Sequence, residues 1–400
     1  MRPATDAPSR GAAVSDAGSF CVHADCGGCR YRDIPYAEQL AIKDAAFRRA
    51  LDERGLCAEE LLAIAGSPRP LAYRNKMEYS FGDESKGGPL TLGMHKRKRF
   101  MSVITTDRCR LVDDDFNRVL AATLRFAREM GYAAYNKKTH RGLLRNLVVR
   151  KGVYTGQLLI NLVTSSQGDI DERALTEALL SLALESRVVG VLHSINDNPA
   201  DFVRGEEQRL LFGNNHYTEK MMGLSFKVSA FSFFQTNVEA AAALCETALS
   251  WIPDIAERTV FDLYCGAGTL AQAAAARGAG RAVGIEIVPE AVAAARENAA
   301  LNGLTNCRFL EGDVRTALEE LTERPDVILL DPPRAGLHPK ALQRILDCRA
   351  RTLVYISCNP NSLADNLAAM RERYRLKRIR AFDNFPFTAH TEAAALLEAL

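Results

Sequence analysis

The chain has 400 residues, 47% of them apolar, and carries 51 basic against 49 acidic side chains for a formal net charge of +2. That length exceeds what one hydrophobic core organises, so two or three domains are expected. The near balance of charge excludes a global field strong enough to hold a polyanion, which leaves that task to local basic patches. Uncharged apolar runs stay short of the roughly 18 residues a membrane helix needs; even the Ala-rich stretch after Gly268 is broken by Arg277. A cytoplasmic protein with no membrane partner is expected. Ten cysteines in such a chain read as reduced thiols, metal ligands or a nucleophile in preference to a disulfide framework.

Residues 1–20 mix Pro, Ser, Gly and Ala with Arg2, Asp6, Arg10 and Asp16, contain no apolar signal core, and read as a disordered tail. Ile34, Leu40, Ile42, Ala46, Phe47 and Leu51 recur at helical spacing and predict an amphipathic helix over 33–55, ended by Gly55. The Gly- and Pro-punctuated stretch 77–112 predicts hairpins, with extended runs at 90–92 and 100–104. A helix over 116–130, strands over 143–150, 156–163 and 188–195, and a further helix over 171–186 make a mixed α/β middle domain.

From residue 260 the pattern alternates: apolar strands over 260–264, 281–287, 308–311, 327–331 and 353–357 are separated by Ala-rich helical stretches. Such alternation predicts a doubly wound, Rossmann-like parallel sheet with helices on both faces. The expected division is 1–20 tail, 21–115 cysteine-bearing segment with a helix and a β-rich region, 116–230 middle domain, and 231–400 doubly wound domain.

Asp262-Leu263-Tyr264-Cys265-Gly266-Ala267-Gly268-Thr269 leaves the first strand of that sheet and enters a helix. Its glycines allow a ligand close to the backbone, and Glu286 ends the next strand, where a ribose-binding carboxylate belongs. Gly266-x-Gly268-x-x-Ala271 also fits the dinucleotide fingerprint, so this loop alone does not separate NAD from S-adenosylmethionine. The later strand ends discriminate. The fourth strand ends in Asp331-Pro332-Pro333-Arg334 and the fifth in Ser357-Cys358-Asn359-Pro360, both at the ligand-binding carboxyl edge.

A hydride-transfer enzyme needs no cysteine there, whereas methylation of an unactivated ring carbon does. C5 of uracil is a poor nucleophile until a thiolate adds to C6, and Cys358 is the candidate nucleophile. The C5 proton must then leave to a positioned base, for which Glu392 of Phe385-Pro386-x-Thr388-x-His390-x-Glu392 is the candidate. A thiol of ordinary acidity, near pKa ~8.5, is only a few per cent ionised at neutral pH, so the site must lower the pKa of Cys358 or deprotonate it on binding.

These residues carry a resemblance. Tyr73-Arg74-Asn75-Lys76, Gly93-x-His95-Lys96, Ser232-Phe233-Phe234-Gln235-x-Asn237, the 262–268 loop, Asp331-Pro332-Pro333-Arg334, Ser357-Cys358-Asn359 and the Glu392 segment resemble the RNA uracil-C5 methyltransferases that make 5-methyluridine in 23S ribosomal RNA and transfer RNA. The resemblance implies Cys358 as nucleophile, Glu392 as base, and Gln235, Tyr264, Gly266, Gly268, Thr269, Glu286 and Asp331 around S-adenosylmethionine, with Asp313 near the adenine. Cys21-x4-Cys26-Gly27-Gly28-Cys29 with Cys109 resembles the family's structural [4Fe-4S] site, and a zinc ion on the same four thiolates is the rival. That cluster points to 23S ribosomal RNA, since the family's transfer-RNA enzymes usually lack it; transfer RNA is the alternative substrate.

The family's amino-terminal β-barrel has no room before Cys21 and is expected to be absent, and a monomer is expected. The runs 95–99 and 137–141, with Arg145 beyond, are candidate phosphate contacts. The run 371–380 is expected to cover the exposed face of the sheet. Other classes compatible with parts of the pattern are an iron–sulfur dinucleotide oxidoreductase, an inactive RNA-binding factor and a cytosine-C5 methyltransferase.

Overall fold

The computed structural model describes residues 20–199 and 205–400; of the tail expected over 1–20, all but Phe20 lies outside them. Phe20 itself is buried and stacks on Phe387, with ring centroids 3.9 Å apart.

The chain opens with α1 (Tyr36–Asp52) and β1 (Glu60–Ala65), then β2 (Lys76–Asp83), β3 (Leu90–Lys96), β4 (Arg99–Thr105), α2 (Asp114–Glu129), β5 (Leu144–Gly152), β6 (Gln157–Thr164), α3 (Glu172–Leu180), β7 (Arg187–Ile195) and β8 (Glu207–Gly213). Strands β2 to β8 form a seven-stranded sheet in the order β4-β3-β2-β5-β6-β7-β8, with α2 and α3 packed on it through Phe116, Leu120, Leu175 and Leu179. The hairpin of β9 (His216–Met221) and β10 (Leu224–Ser229) leads out of this domain.

The rest alternates as anticipated: α4 (Val238–Ser250), β11 (Thr259–Leu263), α5 (Thr269–Ala276), β12 (Arg281–Glu286), α6 (Pro289–Leu301), β13 (Cys307–Glu311), α7 (Val314–Glu320), β14 (Val327–Leu330), α8 (Pro339–Asp347), β15 (Thr352–Ser357), α9 (Pro360–Met370), β16 (Tyr374–Phe382) and β17 (Glu392–Ala399). The sheet order is β1-β16-β17-β15-β14-β11-β12-β13. Neighbours from β15 to β13 are parallel, and apolar clusters cover both faces.

Two departures from the expected parallel sheet matter. First, β17 runs antiparallel to both β15 and β16, so its first residue lies at the carboxyl edge of the sheet rather than the opposite one. Second, β1 adds parallel to β16 at the far edge, so part of the segment 21–115 is built into the carboxy-terminal sheet. Residues 60–65 give no strong strand signal because an edge strand needs only one apolar face; Glu60 and the preceding Glu59 pair with Arg375, Lys377 and Arg378 of β16. The basic run 371–380 is therefore partly neutralised along that edge.

Helix α1 is held by a buried ion pair. Lys43 Nζ lies 2.5 Å from Asp383 Oδ1, both side chains at most 1% exposed, and also donates to Phe385 O at 3.1 Å. Replacing Lys43 by methionine strands a buried carboxylate, and we expect it to cost roughly 3–5 kcal/mol of stability in urea unfolding.

Candidate active site

Strand pairing assembles the site. Leu263 is level with Leu330, Leu330 with Tyr355, and Ser357 with Ala393, so the residues just beyond β11, β14 and β15 meet the residue that opens β17. One cleft of about 1870 Å³ is accordingly lined by Tyr264, Gly266, Thr269, Glu286, Asp331, Cys358 and Glu392, together with Gln235 from the segment before α4.

The glycine loop is shaped for a ligand. Tyr264 adopts a left-handed φ of 67°, a strained conformation for a non-glycine residue, and a Cβ on Gly266 (φ 53°) would meet open space. Gly268 serves packing instead: a Cβ there would lie 2.5 Å from the Phe309 ring. It is not among the cleft-lining residues. Glu286 accepts from the backbone N–H groups of Gly266 (3.0 Å) and Val288 (2.9 Å), which ties the loop to the end of β12. Asp262 accepts from Ala271 N–H at 2.8 Å, while its other oxygen is buried with no partner.

Asp313 follows β13. It caps α7 by accepting from Arg315 N–H, pairs with the Arg315 guanidinium, and is absent from the cleft lining, although its charge raises the neighbouring Tyr264 phenol after burial has done so. Its own carboxyl is held down at about 2 by the Arg315 bonds.

Cys358 lies just beyond β15 and precedes the α9 N-cap, Asn359, which accepts from Asn361 N–H and donates to Arg334 O at 3.0 Å. That bond ties the thiol's loop to the Asp331–Arg334 segment. Burial pushes the Cys358 thiol up, the Glu392 and Asp331 carboxylates add to the rise, and Arg334 opposes it. Of the two routes to a thiolate, these surroundings oppose the first, since low solvation and nearby acidic groups disfavour a further anion, which leaves deprotonation on binding.

The same environment acts on the acids. Burial, reinforced by Asp331, pushes Glu392 up to about 8, and burial raises Asp331 to about 7. Asp262 is likewise raised by burial to about 7.

Several positioning contacts are visible only in the structure. Asn75, part of the Tyr73–Lys76 motif, donates to Gln235 O at 3.1 Å, and the buried Arg150 donates to Ser232 O at 2.6 Å and to Ser229 O, so residues at the start of β2 and the end of β5 fix the Ser232–Gln235 turn. Phe233 is 74% exposed and lines the cleft. The turn before Glu392, strained at Phe387 (φ 64°), is clamped from outside: Phe387 O accepts from Tyr31 N–H, Phe387 N–H donates to Gln39 Oε1, and Tyr73 Oη donates to Pro386 O. Of these clamps only Tyr73 has a sequence signal, as the first residue of Tyr73-Arg74-Asn75-Lys76.

Cys21, Cys26, Cys29 and Cys109 line a second, small cavity of about 50 Å³ beside that turn. Burial pushes the Cys29 thiol up to about 12, with Cys109, Cys26 and Cys21 adding to the rise, so the four sulfurs share one electrostatic environment. Among the described residues, no group of three His, Cys, Asp or Glu is placed to hold a single metal ion.

Comparison with known proteins decides the family. The model of the tRNA (uracil-5-)-methyltransferase family matches residues 201–400. An RNA methyltransferase of Clostridium acetobutylicum is 44% identical over 374 residues, covering 93% of this chain and 82% of its own. The chain belongs to the RNA uracil-5-methyltransferase family. A second RNA methyltransferase, from Caldanaerobacter subterraneus, is 44% identical over 382 residues, with 95% and 84% covered. Among solved structures, the Pyrococcus abyssi tRNA (uracil-54, C5)-methyltransferase in complex with S-adenosyl-L-homocysteine is 26% identical and superposes with a TM-score of 0.78, covering 92% of this chain and 85% of that one.

This methyltransferase is thus an S-adenosylmethionine-dependent enzyme acting on RNA, and no described helix is long and apolar enough to cross a membrane. The cleft suits a sulfonium donor: the orphaned oxygen of Asp262 and the open backbone at Gly266 offer an acceptor and room, and the acids supply counter-charge. A cation placed among Asp262, Asp331 and Glu392 favours their ionised forms. We therefore expect S-adenosylmethionine to bind more tightly as pH rises from 6 to 8, by up to about tenfold per pH unit for each proton released. Calorimetry in buffers of different ionisation enthalpy measures that release; affinity flat across this range would contradict it.

Proposed function

We propose that the protein methylates C5 of a uridine in 23S ribosomal RNA, with Cys358 as nucleophile and Glu392 as base. The single observation that carries the reaction is the junction of β15 and β17: an antiparallel strand in a parallel sheet puts Glu392 at the same edge, and on the same cleft, as Cys358. S-adenosylmethionine, bound by the glycine loop, Glu286 and Gln235, supplies the methyl group as an electrophile. Every other task falls to this chain's side chains.

Cys358 releases its proton to solvent as substrate binds, and its Sγ adds to C6 of the uracil, moving the ring electrons to C5 and O4. C5 takes the methyl group. Glu392, ionised, removes the remaining C5 proton, and that C–H electron pair re-forms the C5=C6 bond and expels the thiolate. Arg334 favours the ionised forms of both groups. The target base must leave its stack to enter the cleft, so it belongs to a loop or is flipped out.

Convergence of four thiols on one cavity supports a [4Fe-4S] cluster held by Cys21, Cys26, Cys29 and Cys109, with a zinc ion on the same thiolates as the alternative. Its role is structural. Phe20, Cys21, Tyr73, Leu111 and Phe387 pack as one apolar cluster, joining the cysteines to the turn that leads to Glu392. We expect anaerobically purified protein to contain iron and acid-labile sulfide in equal amounts, and Cys29→Ser to lose both; zinc without sulfide would decide for the alternative.

The likeness to the Pyrococcus abyssi enzyme favours a second reading, in which transfer RNA is the substrate. Incubating the purified protein with S-adenosylmethionine and unmodified 23S or transfer RNA, then applying nucleoside mass spectrometry, separates them. 5-Methyluridine in 23S RNA alone supports the proposal; its appearance in transfer RNA alone overturns the substrate assignment, and its absence from both overturns the function.

A further inference from the structure

The two basic runs that flank the middle sheet are about 40 residues apart in sequence but meet in space. The β3–β4 hairpin turns at Lys96–Arg99, with Lys98 in a left-handed conformation (φ 62°), and exposes Arg97, Lys98, Arg99 and Phe100. The turn 136–141 is held by Asn136, which accepts from Lys138 and Thr139 N–H and closes the turn against Arg141. Lys137 from this turn places its ammonium 4.8 Å from the centre of the Phe100 ring.

Phe100 is an unusual residue to leave at a hairpin tip. Its ring is 60% exposed, Met101 beside it is 43% exposed, and the His95 ring lies nearly parallel at 4.9 Å. An exposed aromatic ring framed by cations from two separate loops is the pairing that single-stranded nucleic acid recognises: bases stack on the ring while phosphates take the charges. Arg145 takes no part in this surface; it is buried, donates to Asn196 O at 2.6 Å and lies over Tyr135 at 4.4 Å, which corrects its expected role as a phosphate contact.

The surface is mechanically continuous with the active site. Gly27 N–H donates to His95 O at 3.0 Å, Arg97 N–H to Asp25 O at 2.8 Å, and the Arg97 guanidinium to Cys29 O at 2.9 Å. Gly27, Gly28 and Arg30 of that cysteine-bearing loop in turn line the cleft that holds Cys358. Lys96 is neutralised by Asp25 and Glu84, so the outward charge of the hairpin comes from the exposed Lys98 and Arg99, with Lys138 exposed on the facing turn.

We propose that the β3–β4 hairpin and the 136–141 turn form a stacking platform for an unpaired nucleotide flanking the target uridine, its base on Phe100 and its phosphates on Lys98, Arg99, Lys137 and Lys138. The proposal rests on the RNA-methylating function above and adds to it a second anchoring point outside the cleft. Fully paired RNA offers no such base, so the platform selects loops.

The test is binding of the full-length protein to a fluorescent RNA hairpin with a uridine-containing loop, and to the same stem closed as a duplex, across a salt series. Phe100→Ala is expected to weaken loop binding roughly 5- to 150-fold with no change in salt slope, and to leave duplex binding alone. Phe100→Trp restores it. The pair Lys98→Gln and Lys137→Gln lowers the salt slope by about one unit each. Unchanged affinity for S-adenosylmethionine shows that the variants are folded. Equal loop binding by Phe100→Ala and wild type overturns the platform, as does equal loss on loop and duplex. Methyl transfer to the same hairpin is recorded alongside: a wild type that transfers no methyl group while Phe100→Ala still loses loop binding rejects the proposed function and leaves the platform standing. A wild type that methylates while Phe100→Ala binds normally does the reverse.

Discussion

Replacing Cys358 by alanine is expected to lower methyl transfer by roughly 10⁴-fold or more while leaving S-adenosylmethionine affinity within about twofold. The ring carbon of uracil has no other route to nucleophilicity, so losing the thiolate removes the activating step and not merely a favourable interaction. Cofactor binding should persist because the groups proposed to cradle it, the glycine loop, Glu286 and Gln235, lie outside the loop between β15 and α9 that carries Cys358. Single-turnover methyl transfer and equilibrium binding, measured on the same preparation, check both halves. A variant retaining about a tenth of wild-type turnover would show that the thiol is a packing residue.

Glu392→Gln is expected to fail differently. The amide keeps the shape of the protonated carboxyl, so addition at C6 and methyl transfer to C5 proceed, but the C5 proton has no acceptor and the thiolate cannot be expelled. The RNA then remains covalently attached to Cys358, and denaturing gels should show a stoichiometric protein–RNA adduct with turnover reduced about 10²- to 10⁴-fold. The pH dependence carries the sign: burial raises Glu392 to about 8 in the ligand-free site, so the proton-removal step of the wild type speeds up as pH rises towards 8 and levels above it. Glu392→Gln lacks this ionisation, and its residual release is expected to be independent of pH over the same range.

Much of this was legible in the chain itself, for identifiable reasons. The strands 260–264, 281–287, 327–331 and 353–357 are short, mostly apolar runs largely buried on both faces, a pattern that survives translation into structure because few alternatives satisfy it, and the edge strand 308–311 follows their rhythm although Arg308 and Glu311 are exposed; the observed bounds differ by a residue or so at either end. The Gly266 loop and Glu286 declared themselves by position at successive strand ends.

The hidden features depended on contacts distant in sequence. Nothing in residues 60–65 announces a strand that completes a sheet more than 300 residues later, because the partner β16 supplies both the hydrogen bonds and the counter-charges. The antiparallel entry of β17, which places Glu392, depends on the length and clamping of the 383–391 turn, and its clamps Tyr31, Gln39 and Lys43 lie in α1 and the cysteine loop. Asp313, just after β13, has contacts that the strand pattern does not announce: it caps α7 and pairs with Arg315 two residues on, while its charge also reaches the Tyr264 phenol of the cleft. Arg145 reads as a surface cation within a basic run, yet the carbonyl of Asn196 and the Tyr135 ring draw it inside.

The roles of Cys358 and Glu392 both rest on chemistry at C5. The most direct measurement uses RNA labelled with tritium at C5 of uridine and S-adenosylmethionine carrying a carbon-14 methyl group, counting tritium released to water against methyl incorporated. Covalent activation by Cys358 and proton removal by Glu392 require the two to rise together in equal amounts. Methyl incorporation without tritium release would place the methyl group on another atom and contradict the mechanism and the assignment of both residues.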